Sequence, residues 1–471
     1  MRFAFQFFAA CLFTLPALAA KPLSFKHIII VVQENRTPDN LFGSSPNFEP
    51  NVDIATSGVN SLGQTIPLTP LPMADCYDVN HAHASFEAML KQGADKEGTV
   101  PKGVCTVPPN AEFKYVDNST GEVQPYFDIA TSYGFANRMF QTNQGPSFPA
   151  HQFLFAGTSQ PSAISPLFVS SNTTGGGHLA GCTAPAQLTV SLIDGYGSQT
   201  SNPAIYPCTE HAALSDLLDA AGLSWHYYAP SGDGIWTAPN AINHICVPGY
   251  VGTTYECTGP DWANGSVVAT NSGKILTDIK GCNLAAVSWS IPTAAESDHS
   301  SSTNGTGPQW VASIVNAVGQ QPACRNGETY WNDTAILITW DDWGGWYDHV
   351  PPFQINLQPK SAAAWGDGYT YGFRVPLLVV SAYTPSGLVD NTIHDFGSLV
   401  YFVENNFGLG FVGPGNNLYG NYADYQAAQR GDTMAEFFTL PQPRSFAPIS
   451  TMLPPSYFID QPPSNEPVDN D

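Results

Sequence analysis

The sequence predicts one large α/β domain built on a mostly parallel central sheet. Three observations lead there: short apolar runs of β-forming residues, helix-like segments between them, and long connections rich in Gly, Pro and small polar residues. Four runs read as sheet strands: His27–Gln33 (HIIIVVQ), Leu284–Ser290 (LAAVSWS), Thr334–Trp340 (TAILITW) and Val375–Ala382 (VPLLVVSA). Their apolarity is continuous rather than alternating, the pattern of strands covered on both faces, as in a parallel sheet. For the helices, Thr209 can cap a segment over 210–221, where Ala213, Leu214, Leu217, Leu218 and Ala221 mark one face and Gly222 supplies the stop. A second helix is expected over 397–406, with Leu399, Val400, Phe402 and Val403 on its apolar side. The connections follow from 42 glycines and 40 prolines in 471 residues, which argue against a helix bundle. Segments 44–75, 160–205 and 229–280 have no dense apolar pattern of their own and are read as excursions from the sheet. The expected organisation is a single domain over 21–440 and a Pro-rich, acidic tail over 441–471 that wraps the surface or is partly disordered.

Residues 1–20 read as a signal peptide: Arg2 is the basic start, residues 3–15 are apolar, and Ala17-Leu18-Ala19 offers a cleavage site. The chain is expected to be secreted or periplasmic, with no stable membrane anchor, because no later run approaches 18 uninterrupted apolar residues. Eight cysteines remain after the leader, an even number that suits up to four disulfides with 105 possible connectivities. Proximity suggests Cys246 with Cys257 and Cys76 with Cys105. The balance of 16 Lys+Arg against 39 Asp+Glu gives a net charge of −23, which disfavours nucleic acid and anionic membranes as partners. With 43% hydrophobic residues the chain can bury a large core, which excludes intrinsic disorder.

The chemistry sits where strands end. The first runs into Glu34-Asn35-Arg36 and the third into Asp341-Asp342. In an open parallel sheet ligands bind beyond the carboxyl ends of the strands. Three carboxylates and an amide oxygen there form an all-oxygen set suited to a hard divalent cation. Helix capping is the plainer reading of Asp341 and Asp342, but the paired glycines Gly344 and Gly345 point to a tight loop. Ser147, held between Pro146 and Phe148-Pro149, is expected in a rigid turn, where a neighbouring cation would lower the pKa of its hydroxyl. His81, His83, His244 and His299 are further polar candidates in loop-like contexts, and composition does not choose among them.

Six separated segments, HIIIVVQENRTPDNLFG (27–43), DVNHAHASF (78–86), QTNQGPSFPAHQFLFAGTS (141–159), ESDHSSSTNGTGPQWVASIVNAVG (296–319), TWDDWGGWYDHVPP (339–352) and YGFRVPLLVVSAYT (371–384), together resemble the bacterial phosphoesterase family that contains the phospholipases C and related acid phosphatases. The resemblance implies an alkaline-phosphatase-like three-layer α/β/α sandwich. It implies metal ligation by Glu34, Asn35, Ser147, Asp341 and Asp342. Ser147 falls where the family carries its hydroxyl nucleophile, a position held by Thr in the phospholipase C branch. His299 matches a histidine that contacts phosphate, and His81 matches the histidine of the D-x-x-H element, with His83 as a neighbouring candidate. His244 resembles a further pocket histidine in a divergent region. Two departures stand out: the stretch 91–98 lacks the family's Gly-Lys-Met-Asp-Gly, and Thr37-Pro38 replaces a Ser-Phe type of pair.

The expected activity is therefore metal-dependent hydrolysis of phosphate esters through a Ser147 phosphoenzyme, acid phosphatase-like. The alternative is a phospholipase C acting on phosphatidylcholine-type diesters, with Trp343, Trp346 and Tyr347 as candidate headgroup contacts. A non-catalytic exported protein binding phospholigands or glycans is a third, remote reading. The cation is Ca, Mg, Mn or Zn; its number is open. Few Lys and Arg residues also keep positive self-repulsion low in acid, which suits acidic surroundings.

Overall fold

The computed structural model describes residues 24–174, 179–200, 204–355, 369–413 and 422–463. The expected signal peptide and the last eight residues of the tail lie outside them. The central sheet has eight strands: β1 (His27–Gln33), β2 (Gly134–Ala136), β3 (Trp225–Ala229), β4 (Val267–Ala269), β5 (Val287–Ser290), β6 (Thr334–Trp340), β7 (Leu377–Ser381) and β8 (Leu388–Asp390). Their spatial order is β4-β3-β5-β1-β6-β7-β2-β8. β1 lies at the centre, parallel to both β5 and β6. All seven residues of β1 and of β6 are buried, as their continuous apolarity requires.

All four apolar runs are strands, but the last differs in direction. β7 runs antiparallel to β6 and to β2. Continuous apolarity reports burial on two faces and carries no information about strand direction.

The register places helices on both faces. Ile30 pairs with Trp289 and Gln33 pairs with Trp340, and positions three apart on β1 point to opposite sides. On one side Trp289 donates its indole N–H to Leu154 O at 3.0 Å, which seats the helix Ser147–Ala156. On the other, Tyr126 meets the Trp340 ring edge-on at 5.1 Å, which seats the helix Gln124–Ser132. The molecule is thus an α/β/α sandwich.

Three local expectations are corrected. The helix expected over 210–221 starts later and spans Leu214–Ala220. Thr209 does not cap it, because its hydroxyl donates to Ala241 O at 2.8 Å; Asp216 instead accepts from the Ala213 N–H at 2.9 Å. Ser147 is not in a turn but opens the Ser147–Ala156 helix, preceded by Pro146. Pro149 is tolerated there because first-turn N–H groups have no partner within a helix. The stretch 229–280 is more than an excursion, since it returns to the sheet as edge strand β4 and continues into the helix Lys274–Lys280. The second helix lies close to expectation, at Phe396–Phe407.

Four disulfides join Cys76–Cys105, Cys182–Cys208, Cys246–Cys257 and Cys282–Cys324. The first three close loops outside the central sheet, and Cys282–Cys324 spans β5 and the helix Gly307–Gln320. The described part of the tail packs against helices. Asn316 exchanges two hydrogen bonds with Ile449, and Phe458 is fully buried. No helix among the described residues is long and apolar enough to cross a membrane.

Candidate active site

The ends of β1 and β6 are stitched together before any side chain is considered. Asp341 N–H donates to Gln33 O at 2.9 Å, extending the ladder past the strands. The Asn35 N–H then donates to Asp341 Oδ1 at 3.1 Å. Asn35 has a φ of 61°, a left-handed turn that asparagine tolerates better than most residues. The chain after Asp342 turns through Gly344 at φ 62°, where a Cβ would stand 2.3 Å from Asn35 O. Glycine is therefore required at 344 for the two loops to meet, and the paired glycines make a loop as the sequence implied.

Around this seam lie Glu34, Asn35, Asp341 and Asp342, all fully buried. The Ser147–Ala156 helix points its N-terminus at them. Ser147 Oγ donates to Asp342 Oδ2 at 3.4 Å. One turn later on the same face, His151 Nε2 lies 3.2 Å from Glu34 Oε1 and 3.8 Å from Asp341 Oδ2. Its Nδ1 faces Tyr227 Oη at 3.3 Å, and that hydroxyl donates to Trp236 O at 2.7 Å.

His81 approaches from another side. Its Nδ1 donates to Val79 O at 2.9 Å, and its Nε2 lies 2.9 Å from Asn35 Nδ2. Its Nε2 is also 3.9 Å from Asp342 Oδ2. Asp78 lies beneath two histidines at once, 3.9 Å from His81 and 3.6 Å from His299. The two imidazole rings stand 5.8 Å apart. The His299 loop is tied to β1 by Arg36, whose buried guanidinium donates to Asp298 O at 2.8 Å and Met73 O at 3.1 Å. That arginine also stacks over Trp346.

Of the residues singled out in the sequence, Glu34, Asn35, His81, Ser147, His299, Asp341 and Asp342 are thus brought together. Two are not. His83 is buried, but its Nδ1 donates to Gln144 O at 2.6 Å, so it braces the loop before Ser147. Burial lowers its pKa. His244 stands on a half-exposed helix end, its ring between Asp216 and Glu210 at 3.0 and 2.7 Å. The Asp216 hydrogen bond leads in raising its pKa to about 9. The divergent segment had brought to the surface a histidine that the motif placed in the pocket.

Sequence reading missed His151 and Asp78. His151 is four residues after Ser147, a spacing that shares a face only on a helix. Asp78 is the first residue of the D-x-x-H element already identified.

The donor set fits a divalent cation. Glu34, His151 and Asp341 offer ligand atoms within 4.8 Å of one another, and Asp78, His81 and His299 form a second such trio. Asn35 Oδ1 and Asp341 Oδ2 are buried oxygens that accept no hydrogen bond among the described residues. Acceptors without donors are costly in a protein interior unless something positive faces them. His151 adds a nitrogen to what the sequence presented as an all-oxygen set, so the donors no longer favour Ca, Mg or Mn over Zn.

A model of the Phosphoesterase family matches residues 25–410. A non-hemolytic phospholipase C of Burkholderia pseudomallei is 24% identical over 496 residues, covering 92% of this chain and 63% of its own length. Phospholipase C A of Mycobacterium tuberculosis is 24% identical over 425 residues, covering 82% of this chain and 73% of its own. The chain thus spans about three-fifths of the first relative's length. Among solved structures, a protein in the alkaline phosphatase superfamily from Vibrio parahaemolyticus aligns with a TM-score of 0.34 at 12% identity, over 86% of this chain and 73% of that one. With the strand-end carboxylates, Ser147 and the paired histidines all inside the matched span, the chain belongs to the Phosphoesterase family.

Proposed function

We propose that the protein is an exported, metal-dependent phosphoric ester hydrolase that works through Ser147. The observation that carries this reading is the position of Ser147 Oγ, at a helix N-terminus and 3.4 Å from Asp342. A helix N-terminus favours negative charge, both on the serine oxygen and on a phosphoryl group beside it. Glu34, Asn35, Asp341 and Asp342, with His151, would hold the cation, and Ser147 would face it. When bound, the cation supplies positive charge that lowers the pKa of the serine hydroxyl and neutralises phosphoryl oxygens.

Ser147 Oγ releases its proton to solvent by way of Asp342, whose Oδ2 it faces at 3.4 Å, and attacks phosphorus in line as the bond from phosphorus to the ester oxygen breaks. His299, steadied by Asp78, hands a proton to the departing alcohol. His81, anchored through Nδ1 to Val79 O, turns Nε2 toward the site, where the protonated ring would donate to a phosphoryl oxygen. Water then gives a proton to His299 as its oxygen displaces Ser147 from phosphorus, and the serine oxygen takes a proton back from solvent. Most of the acceleration is electrostatic and positional, as phosphoryl transfer demands.

The serine favours an acid phosphatase acting on monoesters, whereas the names of the relatives favour a phospholipase C acting on diesters. Assay of the purified protein on p-nitrophenyl phosphate and p-nitrophenylphosphorylcholine, across pH and with EDTA, separates them. Turnover of the choline ester selects the phospholipase reading, and monoester-only turnover selects the phosphatase. Ser147→Ala is expected to lower turnover by about 10³-fold or more without moving the melting temperature. Residual turnover near the unmodified level would remove Ser147 from the chemistry.

A further inference from the structure

A β-hairpin of strands Pro248–Val251 and Thr254–Cys257 projects from the rim of the molecule. Its base is closed by the Cys246–Cys257 disulfide, and its tip turns at Gly252 with a φ of 65°. Four large apolar side chains are exposed within nine residues: Val247 at 45%, Tyr250 at 75%, Val251 at 54% and Tyr255 at 42%. Elsewhere among the described residues such side chains come singly or in pairs. Tyr250 and Tyr255 are cross-strand partners with ring centroids 5.0 Å apart, so they form one continuous aromatic surface. Folding gains nothing from this exposure, and a rigid apolar tip in water marks an interaction site.

The hairpin forms one wall of a groove of about 610 Å³, whose other walls include Gly232, Asp233, Trp262 and Ala269. Ala229 and Ala269 end the parallel strands β3 and β4, so the groove opens at the same end of the sheet as the catalytic residues. The link is short. Asp233 lines the groove, and Trp236, three residues on, stacks beside the His151 ring at 6.3 Å.

Charge selects the occupant. Residues 243–263 contain no Lys or Arg, and the acids lining the groove are Asp233 and Glu256. An anionic surface would be repelled, whereas the ammonium of a zwitterionic headgroup is attracted to carboxylates and aromatic faces. Tyrosine is the side chain that settles at the boundary between acyl chains and water. We infer that the 248–257 hairpin docks the enzyme on a zwitterionic phospholipid surface, with the tip of Tyr250 and Val251 in the headgroup layer and the acidic groove beside it receiving headgroup ammonium groups. The biological sense of this rests on the lipid-ester reading of the active site; the binding itself does not.

The test uses the disulfide-intact protein carrying Ser147→Ala, so that no lipid is consumed, in sedimentation with phosphatidylcholine vesicles. The protein is expected to co-sediment, and adding Tyr250→Ser with Val251→Ser is expected to weaken binding about tenfold or more. Unchanged binding by that variant, no binding by its parent, or tighter binding to vesicles containing phosphatidylglycerol would each overturn the inference. So would a dimer dissolved by the same substitutions, since the tip would then serve a second copy of the chain. A Thr253→Trp probe at the tip is expected to shift its emission to the blue on adding vesicles, and an unshifted emission overturns it as well. Turnover of p-nitrophenyl phosphate by the hairpin variant with Ser147 intact should equal that of the unmodified protein. If the unmodified protein turned over no phosphate ester at all, the catalytic reading would fail while the vesicle result stood.

Discussion

Two buried clusters of carboxylates and histidine lie within a few residues of each other in sequence, and they solve the same electrostatic problem differently. In the first, Glu34 and Asp341 face His151, and Asp342 faces His81. In the second, Asp348 receives two hydrogen bonds from Arg374 at 2.7 and 2.9 Å, and Asp39 lies 3.3 Å from the same guanidinium. His349 completes it, 2.8 Å from Asp39. Each of the two loops that leave β1 and β6 has one end in each cluster: Glu34 and Asp39 on the first, Asp342 and Asp348 on the second. Arginine stays charged at any working pH and never ligates a metal, so its end of the loops is fixed. Histidine can give up its proton and offer a lone pair, and His349 brings that donor to the second cluster too. What sets the clusters apart is that Arg374 already gives Asp39 and Asp348 a positive charge, whereas the first cluster has only histidines, which can exchange a proton for a cation. The lesson is that metal readiness is not a property of carboxylate density. It depends on which base the fold sets opposite.

Substitution at the histidine end should therefore cost function and little stability. Asp341→Asn is expected to lower bound divalent metal to below about a tenth of the unmodified protein's and turnover by about 10²-fold or more. Elemental analysis beside a thermal melt checks this, and full metal content in the variant would break the comparison. At the arginine end the order reverses. Arg374→Met leaves Asp39 and Asp348 buried without their counter-charge, and urea unfolding should show a loss of about 3–5 kcal/mol. A loss below about 1 kcal/mol would mean that the network does not hold the loops.

The sequence made the histidine end largely readable and the arginine end not at all. Glu34, Asn35, Asp341 and Asp342 were legible because an apolar strand that stops abruptly at an acid is visible in one dimension. His151 was hidden by Pro149, which disguised a helix start as a turn and so concealed the i, i+4 relation to Ser147. Arg374 sits 26 residues beyond Asp348, and no periodicity marks a contact of that kind. The short strands β2 and β8, three residues each, hold too few residues to show an alternation, and the antiparallel sense of β7 depends on connection rather than composition. The helix that begins at Leu214 rather than after Thr209 was decided by a tertiary hydrogen bond to Ala241. Local propensity cannot anticipate that partner.

A third arrangement sets a histidine among carboxylates with no lone pair to spare. His394 is fully buried, with Asp432 at 3.0 Å on one ring nitrogen and Asp390 at 3.0 Å on the other. Burial alone would lower its pKa, but the hydrogen bonds to Asp390 and Asp432 raise it to about 9. A folded value above the unfolded one stabilises the protein fully below about pH 6.5, and the contribution is lost as pH rises through 9. Relative to the usual 6.5, it amounts to on the order of 3 kcal/mol. His394→Gln should therefore destabilise clearly at pH 6 and much less at pH 9.5. Equal losses at both pH values would show that the histidine is held for its shape and not its charge.

The smallest expected effect comes from the cluster that uses neither arginine nor histidine. Glu404 and Asp424 are buried, and the Val412 N–H donates to Glu404 at 2.9 Å and to Asp424 at 3.3 Å. Burial and then mutual repulsion raise the glutamate, and burial raises the aspartate, so the pair keeps a proton at neutral pH. For a carboxyl whose folded pKa is raised, the sign is the opposite of a salt bridge's: its contribution is most favourable in acid and declines as pH climbs from the unfolded value toward the folded one. Glu404→Gln replaces the reluctant acid with a neutral group that can still donate to Asp424. It should flatten the fall in stability between about pH 4 and 8, and leave the variant more stable at pH 8 by about 1 kcal/mol. Denaturant midpoints at those two pH values measure it. An unmodified protein that is most stable above pH 8 would remove both this pair and His394 as reasons to expect a protein suited to acid, and a variant with the same slope would remove the pair. If the slope changes as described, the proton has taken here the place that Arg374 fills in one buried cluster and that a cation would fill beside Ser147.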